Sequence, residues 1–199
     1  MNPRLVLAVF LVGLFALGAI ALAIVESGEE APDVAQRGFA GSRMPPGVPA
    51  PAFDLTDERG EPVAMSDFRG RPVIVTFLYT HCEETCPPAA QQVKGALNEL
   101  GEDVPALAIA VEPPRDTPAS ARAFLSEQQM LGRMRFVLGS REQLEPVWRG
   151  YAIRPQTPGS EHQGRIVLVD RRGYQRVCFP VDQATPERIA HDVRLLVRL

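Results

Sequence analysis

The stretch Thr80-His81-Cys82-Glu83-Glu84-Thr85-Cys86-Pro87-Pro88 carries two of the chain's 3 cysteines. Two thiols on one short loop can share a soft metal ion, close a disulfide, or exchange with another thiol pair. Three residues separate them, where the thioredoxin redox motif has two. Thiolates suit Cu(I), and zinc as well. A structural zinc site takes four ligands at recognisable spacing, and no second pair of that kind occurs in the sequence. Pro87 disfavours helical geometry in the residue before it and itself suits the first helical position. That reading makes Cys86 an N-cap whose thiolate the helix dipole favours. Glu83 and Glu84 place negative charge near the thiols and should oppose their ionisation.

A third ligand must come from elsewhere, and the chain has 3 histidines. His162 lies in a Gly/Ser/Pro-rich loop, Gln156 to Gly164, directly before an apolar run from Arg165 to Asp170. If that run is a strand beside the one leading into the cysteine loop, the two loops meet. A neutral imidazole would then complete a copper site. His81 is a rival ligand, although a residue adjacent to Cys82 in sequence often points elsewhere. His191 falls among charged residues near the C-terminus and reads as surface. Cys178 sits mid-strand and reads as a buried bystander. An odd number of cysteines does not suit a disulfide framework.

The elements that must position these residues follow from patterning. Pro72 to Leu78 is a β-branched, continuously apolar run, as in a strand buried on both faces. A helix from Pro87 to Leu100 ends at Gly101. Ala106 to Val111 is a second buried strand. Thr117-Pro118 opens a helix to about Leu131, Thr being a good N-cap and Pro a good first residue. Phe136 to Leu138 is a short strand, Ser140 to Tyr151 a helix despite Pro146, and Tyr174 to Phe179 the return of a hairpin. Thr185-Pro186 starts the last helix. Phe53 to Leu55 and Val63 to Met65 form a small hairpin. This order predicts an α/β sheet covered on both faces.

Leu5 to Val25 is an uncharged apolar run long enough to cross a bilayer as a helix. Arg4 before it and Glu26, Glu29, Glu30 and Asp33 after it place the remainder outside the cytoplasm by the positive-inside rule. The run exceeds the h-region of a cleaved signal peptide, the competing reading, for which Ala21-Leu22-Ala23 could serve as the cleavage site. The chain therefore divides into an anchor over 1–25, a flexible Gly/Pro-rich linker over 26–49 and a domain over 50–199. With a net charge of -3 and no basic stripe, nothing recommends a nucleic-acid partner.

Ala50 to about Leu196 resembles the Sco/SenC family of copper proteins. The resemblance rests on Pro51-Ala52-Phe53-Asp54-Leu55-Thr56-Asp57 with Gly60, on Phe68-Arg69-Gly70-Arg71-Pro72, and on Phe77-Leu78-Tyr79-Thr80 running into Cys82 and Cys86-Pro87. It extends to Pro113-Pro114-Arg115-Asp116-Thr117-Pro118, and to His162 ahead of Ile166-Val167-Leu168-Val169-Asp170 and Gly173. It implies a thioredoxin-like fold with a central mixed sheet, and copper, as Cu(I) or Cu(II), held by Cys82, Cys86 and His162. It also implies delivery to the dinuclear copper centre of cytochrome c oxidase, whose copper-bearing subunit would be the partner. The other role open to the same cysteines is thiol–disulfide exchange, reducing the oxidase's own cysteines. The chain departs from the family at Glu83, where Pro is usual, at Glu112, where Asp is usual, and at Gln163, where a Ser-like residue is usual. Glu112 and Asp116 read as local helix-start residues. A sharper reading adds them to Glu83 and Glu84 as an acidic docking rim.

Overall fold

The structure, a computed structural model, describes residues 38–101, 104–156 and 164–199. The apolar run 5–25 and His162 lie outside the described residues. No helix among the described residues is long and apolar enough to cross a membrane.

The elements run β1 (Ser42–Arg43), β2 (Asp54–Thr56), β3 (Pro62–Ala64), β4 (Val73–Leu78), α1 (Cys86–Leu100), β5 (Ala106–Ala110), α2 (Pro118–Glu127), β6 (Arg135–Val137), α3 (Arg141–Gly150), β7 (Arg165–Val169), β8 (Gln175–Pro180) and α4 (Pro186–Arg198). One sheet has the order β1-β8-β7-β4-β5-β6, and β2-β3 is a separate hairpin. β4, β5 and β6 are parallel, whereas β7 is antiparallel to β4, and β8 to β7. The sheet is therefore mixed, with β4 at its centre. All residues of β4 and β5 are buried, side chains of both pleat directions included, so the sheet is covered on both faces. The continuous apolar runs in the sequence reflect that double cover.

α1 and α4 pack on each other. They approach so closely at Gly95 that a Cβ there would sit 2.5 Å from the Pro186 ring. α3 seals the sheet with Trp148, whose indole N–H donates to the Ala110 carbonyl at 2.8 Å, and with Tyr151, edge-on to Phe77 at 5.1 Å. Pro146 lies inside α3 without ending it.

Helix starts follow the expected chemistry. The side chains of Thr117, Ser140 and Thr185 each accept the amide of the residue three positions on. Gly101 ends α1 in the left-handed region at φ 63. α2 stops at Glu127, short of the expected Leu131. Gln129 takes a positive φ of 56, which a continuing helix does not allow. Ser42–Arg43 lies in the stretch that composition marks as linker, yet it pairs with β8 as an edge strand. The buried Asp192 carboxylate fixes its approach, accepting the amides of Ala40 at 2.7 Å and Gly41 at 2.9 Å.

Candidate metal centre

β4 ends at Leu78, and its parallel pairing continues one step further, the Val111 amide donating to the Leu78 carbonyl at 3.1 Å. The chain then turns, with the Cys82 amide on the Tyr79 carbonyl at 3.3 Å. The expectation that Cys86 caps the helix is corrected here. Thr85 is the N-cap, Cys86 is the first helical residue, and Pro87 and Pro88 follow in the first turn. The orphan amide at this helix start is that of Cys86, and the Cys82 sulfur accepts it at 3.1 Å. The Thr85 hydroxyl lies 3.3 Å from the same sulfur. It is therefore Cys82 that profits from the helix N-terminus.

Both thiols are free and buried, Cys82 6% exposed and Cys86 1%. Hydrogen bonding from the Cys86 thiol pulls the Cys82 thiol down to about 4, against the opposing effect of burial. The Thr85 and Tyr79 hydroxyls and the Cys86 amide act in the same direction. Burial, together with donation to Cys82, pushes Cys86 far up. The first proton therefore leaves Cys82 more readily than Cys86, the Cys86 thiol donating to the Cys82 sulfur. Glu83 and Glu84 point into solvent. Their expected opposition to ionisation is outweighed by these hydrogen bonds. Burial also raises the Tyr79 hydroxyl, reinforced by its bond to Cys82.

Asp116 ties the loop down. One carboxylate oxygen accepts the Thr80 amide at 2.8 Å and the other the Glu112 amide at 2.9 Å. It joins the β4–α1 loop to the β5–α2 loop across 36 residues of sequence. At 6% exposure it is no docking charge, which sets aside the sharper reading and leaves the local one. Burial raises its carboxyl in spite of the two amides. Glu112 is also largely enclosed. One of its oxygens lies 3.5 Å from Arg115, and the other is buried with no hydrogen-bond partner among the described residues. Of the acidic rim, Glu83 and Glu84 remain exposed.

The expected adjacency of the two loops has its structural condition met. β7 runs antiparallel beside β4, with Thr76 opposite Ile166 and the Thr76 hydroxyl on the Arg165 carbonyl at 3.1 Å. β7 therefore starts at the end of the sheet where β4 finishes. Gln156 is fastened at that same end, its amide on the Val111 carbonyl at 2.9 Å. Gly164 is held by the Val181 amide at 3.1 Å. His81 is exposed, its ring 3.0 Å from the Thr80 hydroxyl. His191 is a half-exposed partner of Asp192 at 2.8 Å. Cys178 is buried in β8, its thiol raised by burial. Among the described residues no three His, Cys, Asp or Glu side chains cluster as a metal cage.

The donors that converge are two sulfurs, with the charge favoured on Cys82 and no carboxylate against them among the described residues. Such a set fits a soft ion such as Cu(I). Beside it opens a cleft of about 810 Å³, bordered by Glu84, Thr85 and Pro88 on one side and by Arg165, Val181 and Asp182 on the other. Sequence reasoning missed Asp116, Tyr79 and Thr85 as site residues. Only Thr85, a good capping residue just before Cys86-Pro87, gave a local signal for its position.

The family model described as SCO1/SenC matches residues 45–198. The bovine (Bos taurus) protein SCO2 homolog, mitochondrial, is 33% identical over 121 residues, 58% of this chain and 45% of that protein. The solved structure of Bradyrhizobium japonicum ScoI with copper bound has a TM-score of 0.64 and 30% identity, covering 74% of this chain and 98% of that one. BsSco, described as a member of the Sco family of cytochrome c oxidase assembly proteins with a disulfide switch, has a TM-score of 0.69 at 21% identity, covering 78% and 96%. The chain spans about half the length of the mitochondrial relatives it matches. With the family matched over most of its length, and the thioredoxin-like fold shared, the chain belongs to the SCO1/SenC family.

Proposed function

We propose that this protein is a copper carrier that binds one copper ion through Cys82, Cys86 and His162. It delivers the ion to the dinuclear copper centre of cytochrome c oxidase. The observation that carries this reading is the convergence of the Cys82 and Cys86 sulfurs at the end of β4, with a chain anchor on either side. Gln156 is fastened to the end of β5 and Gly164 precedes β7, and β4 lies between these two strands. His162 stands two residues before Gly164 in sequence. Copper is the cargo. The ionised Cys82 sulfur offers a ready ligand, Cys86 gives up its proton on binding, and a partner's thiolates take the ion by stepwise ligand exchange. The copper-bound relative and the name of the oxidase-assembly relative support the metal and the target. The apolar run 5–25 anchors the protein in the cell membrane as a single pass, with the domain outside the cytoplasm.

Anaerobic titration of the reduced full chain with copper tests the site. One equivalent is expected to bind tightly. His162→Ala is expected to weaken binding sharply, and Cys82→Ser with Cys86→Ser to abolish it. Equal affinity in His162→Ala and wild type would remove His162 from the site.

The asymmetry of the pair favours a second role, thiol–disulfide exchange. The Cys82 thiolate would attack a partner disulfide, forming a mixed disulfide and releasing one partner thiolate. Cys86, losing its proton, would then displace the other, leaving the partner a dithiol and Cys82–Cys86 oxidised. This role does not require His162, so His162→Ala separates the two.

A further inference from the structure

The end of the sheet opposite the cysteine loop has a chemistry that copper carriage does not use. Where β5 and β6 begin, a cavity of about 200 Å³ opens between them and the β3–β4 connection. Arg59, Arg71, Arg133 and Arg135 all line it, and Glu58 is the one carboxylate among its lining residues. Arginines gathered at one small cavity repel one another, and Arg59, Arg71 and Arg133 keep their side chains exposed at its rim. Here Phe68, Leu107 and Met134 supply a buried apolar wall.

Two of these arginines are engaged. Arg135 binds the fully buried Asp57 carboxylate at 2.9 Å and the Pro62 carbonyl at 2.8 Å. Arg59 binds the same carboxylate at 3.1 Å and lies 3.7 Å from Glu58. Glu58 is itself occupied, accepting the Phe136 amide at 2.9 Å. The Arg71 guanidinium lies over the Phe68 ring, 5.9 Å from its centre, and has no ion pair with any described residue. The Arg133 amide donates to the Met130 carbonyl at 2.9 Å, while its guanidinium makes no ion pair with any described residue. Among the described residues, Asp57 and Glu58 therefore match two of the four cations and leave two without an acidic partner, on a chain whose net charge is -3. The turn that ends α2 presents Arg133 at the cavity, between Gly132 with a φ of 75 and the buried Met134. The planar guanidinium fork matches the oxygens of a tetrahedral oxyanion bidentately. At roughly 30 Å³ per water, the cavity holds such an ion together with several waters.

We propose that this arginine pocket binds a phosphate-type oxyanion, either free or carried on a lipid headgroup, through Arg71 and Arg133. The pocket lies at the N-terminal ends of β5 and β6, and the cysteine loop at the C-terminal end of the parallel β4, so occupancy leaves the copper ligands untouched.

The test uses the full chain in detergent and in vesicles. Inorganic phosphate is titrated against chloride at matched ionic strength, and the backbone amide signals of Leu107, Arg133 and Met134 are followed by NMR. Saturable shifts with phosphate and none with chloride are expected. Arg71→Gln with Arg133→Gln should weaken phosphate binding about tenfold or more, because two charged bidentate donors are lost. Copper stoichiometry in that variant, and its unfolding midpoint, should match wild type, since neither arginine holds the Asp57 junction. Phosphatidylcholine vesicles with and without phosphatidylglycerol distinguish the sources. Shifts specific to phosphatidylglycerol assign the site to a headgroup, and shifts with inorganic phosphate alone assign it to a free anion. Phosphate and chloride acting alike with no phosphatidylglycerol effect, or an unchanged response in the double variant, would overturn the proposal.

Discussion

Both ends of the sheet are fastened by an aspartate that gathers loop amides, and the two fastenings have opposite electrostatics. At the far end the Asp57 carboxylate accepts the Arg59 and Glu61 amides, both at 2.9 Å, and pairs with the Arg59 and Arg135 side chains. Burial would raise this carboxyl, but the amides and guanidinium groups outweigh it, and its pKa is lowered. At the cysteine end Asp116 accepts the Thr80 and Glu112 amides with no cation beside it among the described residues, and its pKa is raised by burial. The far end is a cross-linked junction that holds the β2–β3 hairpin to β6. The cysteine end is held by neutral donors, the Thr80 and Glu112 amides and the Thr80 hydroxyl, so its loop geometry depends on one carboxylate whose charge burial disfavours.

Removing each aspartate sharpens the contrast. Asp57→Ala breaks two ion pairs and strands the hairpin amides. It is expected to cost about 3 kcal/mol in urea unfolding while copper stoichiometry at low temperature stays at wild type. Asp116→Ala leaves two amides unpaired and is expected to cost about 2 kcal/mol. Its larger effect should fall on function, with faster alkylation of the cysteines and weaker copper binding, because Thr80 is no longer held. If Asp116→Ala loses stability alone, with alkylation and copper affinity unchanged, the carboxylate is not a positioning residue.

The pH dependence of the two should run in opposite directions. A lowered folded pKa means that the Asp57 contribution is present above about pH 4 and is lost as pH falls through the folded value. A raised folded pKa means that the Asp116 contribution is full below about pH 4 and is lost as pH rises through its folded value. The stability gap between wild type and Asp57→Asn should therefore narrow in acid, and that between wild type and Asp116→Asn should narrow toward neutrality. Urea unfolding across this range checks the signs. Gaps that move together would mean that the two carboxylates are not electrostatically opposed.

How much of this was legible in the sequence differs between the two ends. The strands show in their apolar runs because both faces of β4 and β5 are covered, and the helix starts show in Thr117-Pro118, Ser140 and Thr185-Pro186. The Cys82/Cys86 pair stands out because spacing is local. What was not legible is long-range. Nothing near Asp116 says that it receives an amide 36 residues earlier, so it reads as a local helix-start residue. The same holds for Asp57 with Arg135, 78 residues apart. Ser42–Arg43 has no strand pattern, being two exposed residues that borrow their order from β8. The ranking of the thiols was misread for a local reason. The helix begins one residue earlier than Pro87 suggests, which hands the free amide to Cys82.

The smallest expected effect concerns the exposed acids. Neutralising Glu83 and Glu84 to Gln should leave copper affinity nearly unchanged, and slow delivery to an oxidase copper domain several-fold at low salt and less at high salt. Stopped-flow transfer at several ionic strengths reads this out. Unaltered transfer at every ionic strength would confine these residues to the surface of the loop.

The central claim is that copper sits on the two sulfurs at the end of β4 and on an imidazole. X-ray absorption at the copper edge of the anaerobically loaded full chain measures that ligand set directly. Two sulfur scatterers and one imidazole per copper are predicted, with the imidazole signal lost in His162→Ala and retained in His81→Ala. A shell of oxygen and nitrogen without sulfur, or an imidazole that survives His162→Ala, would contradict the account.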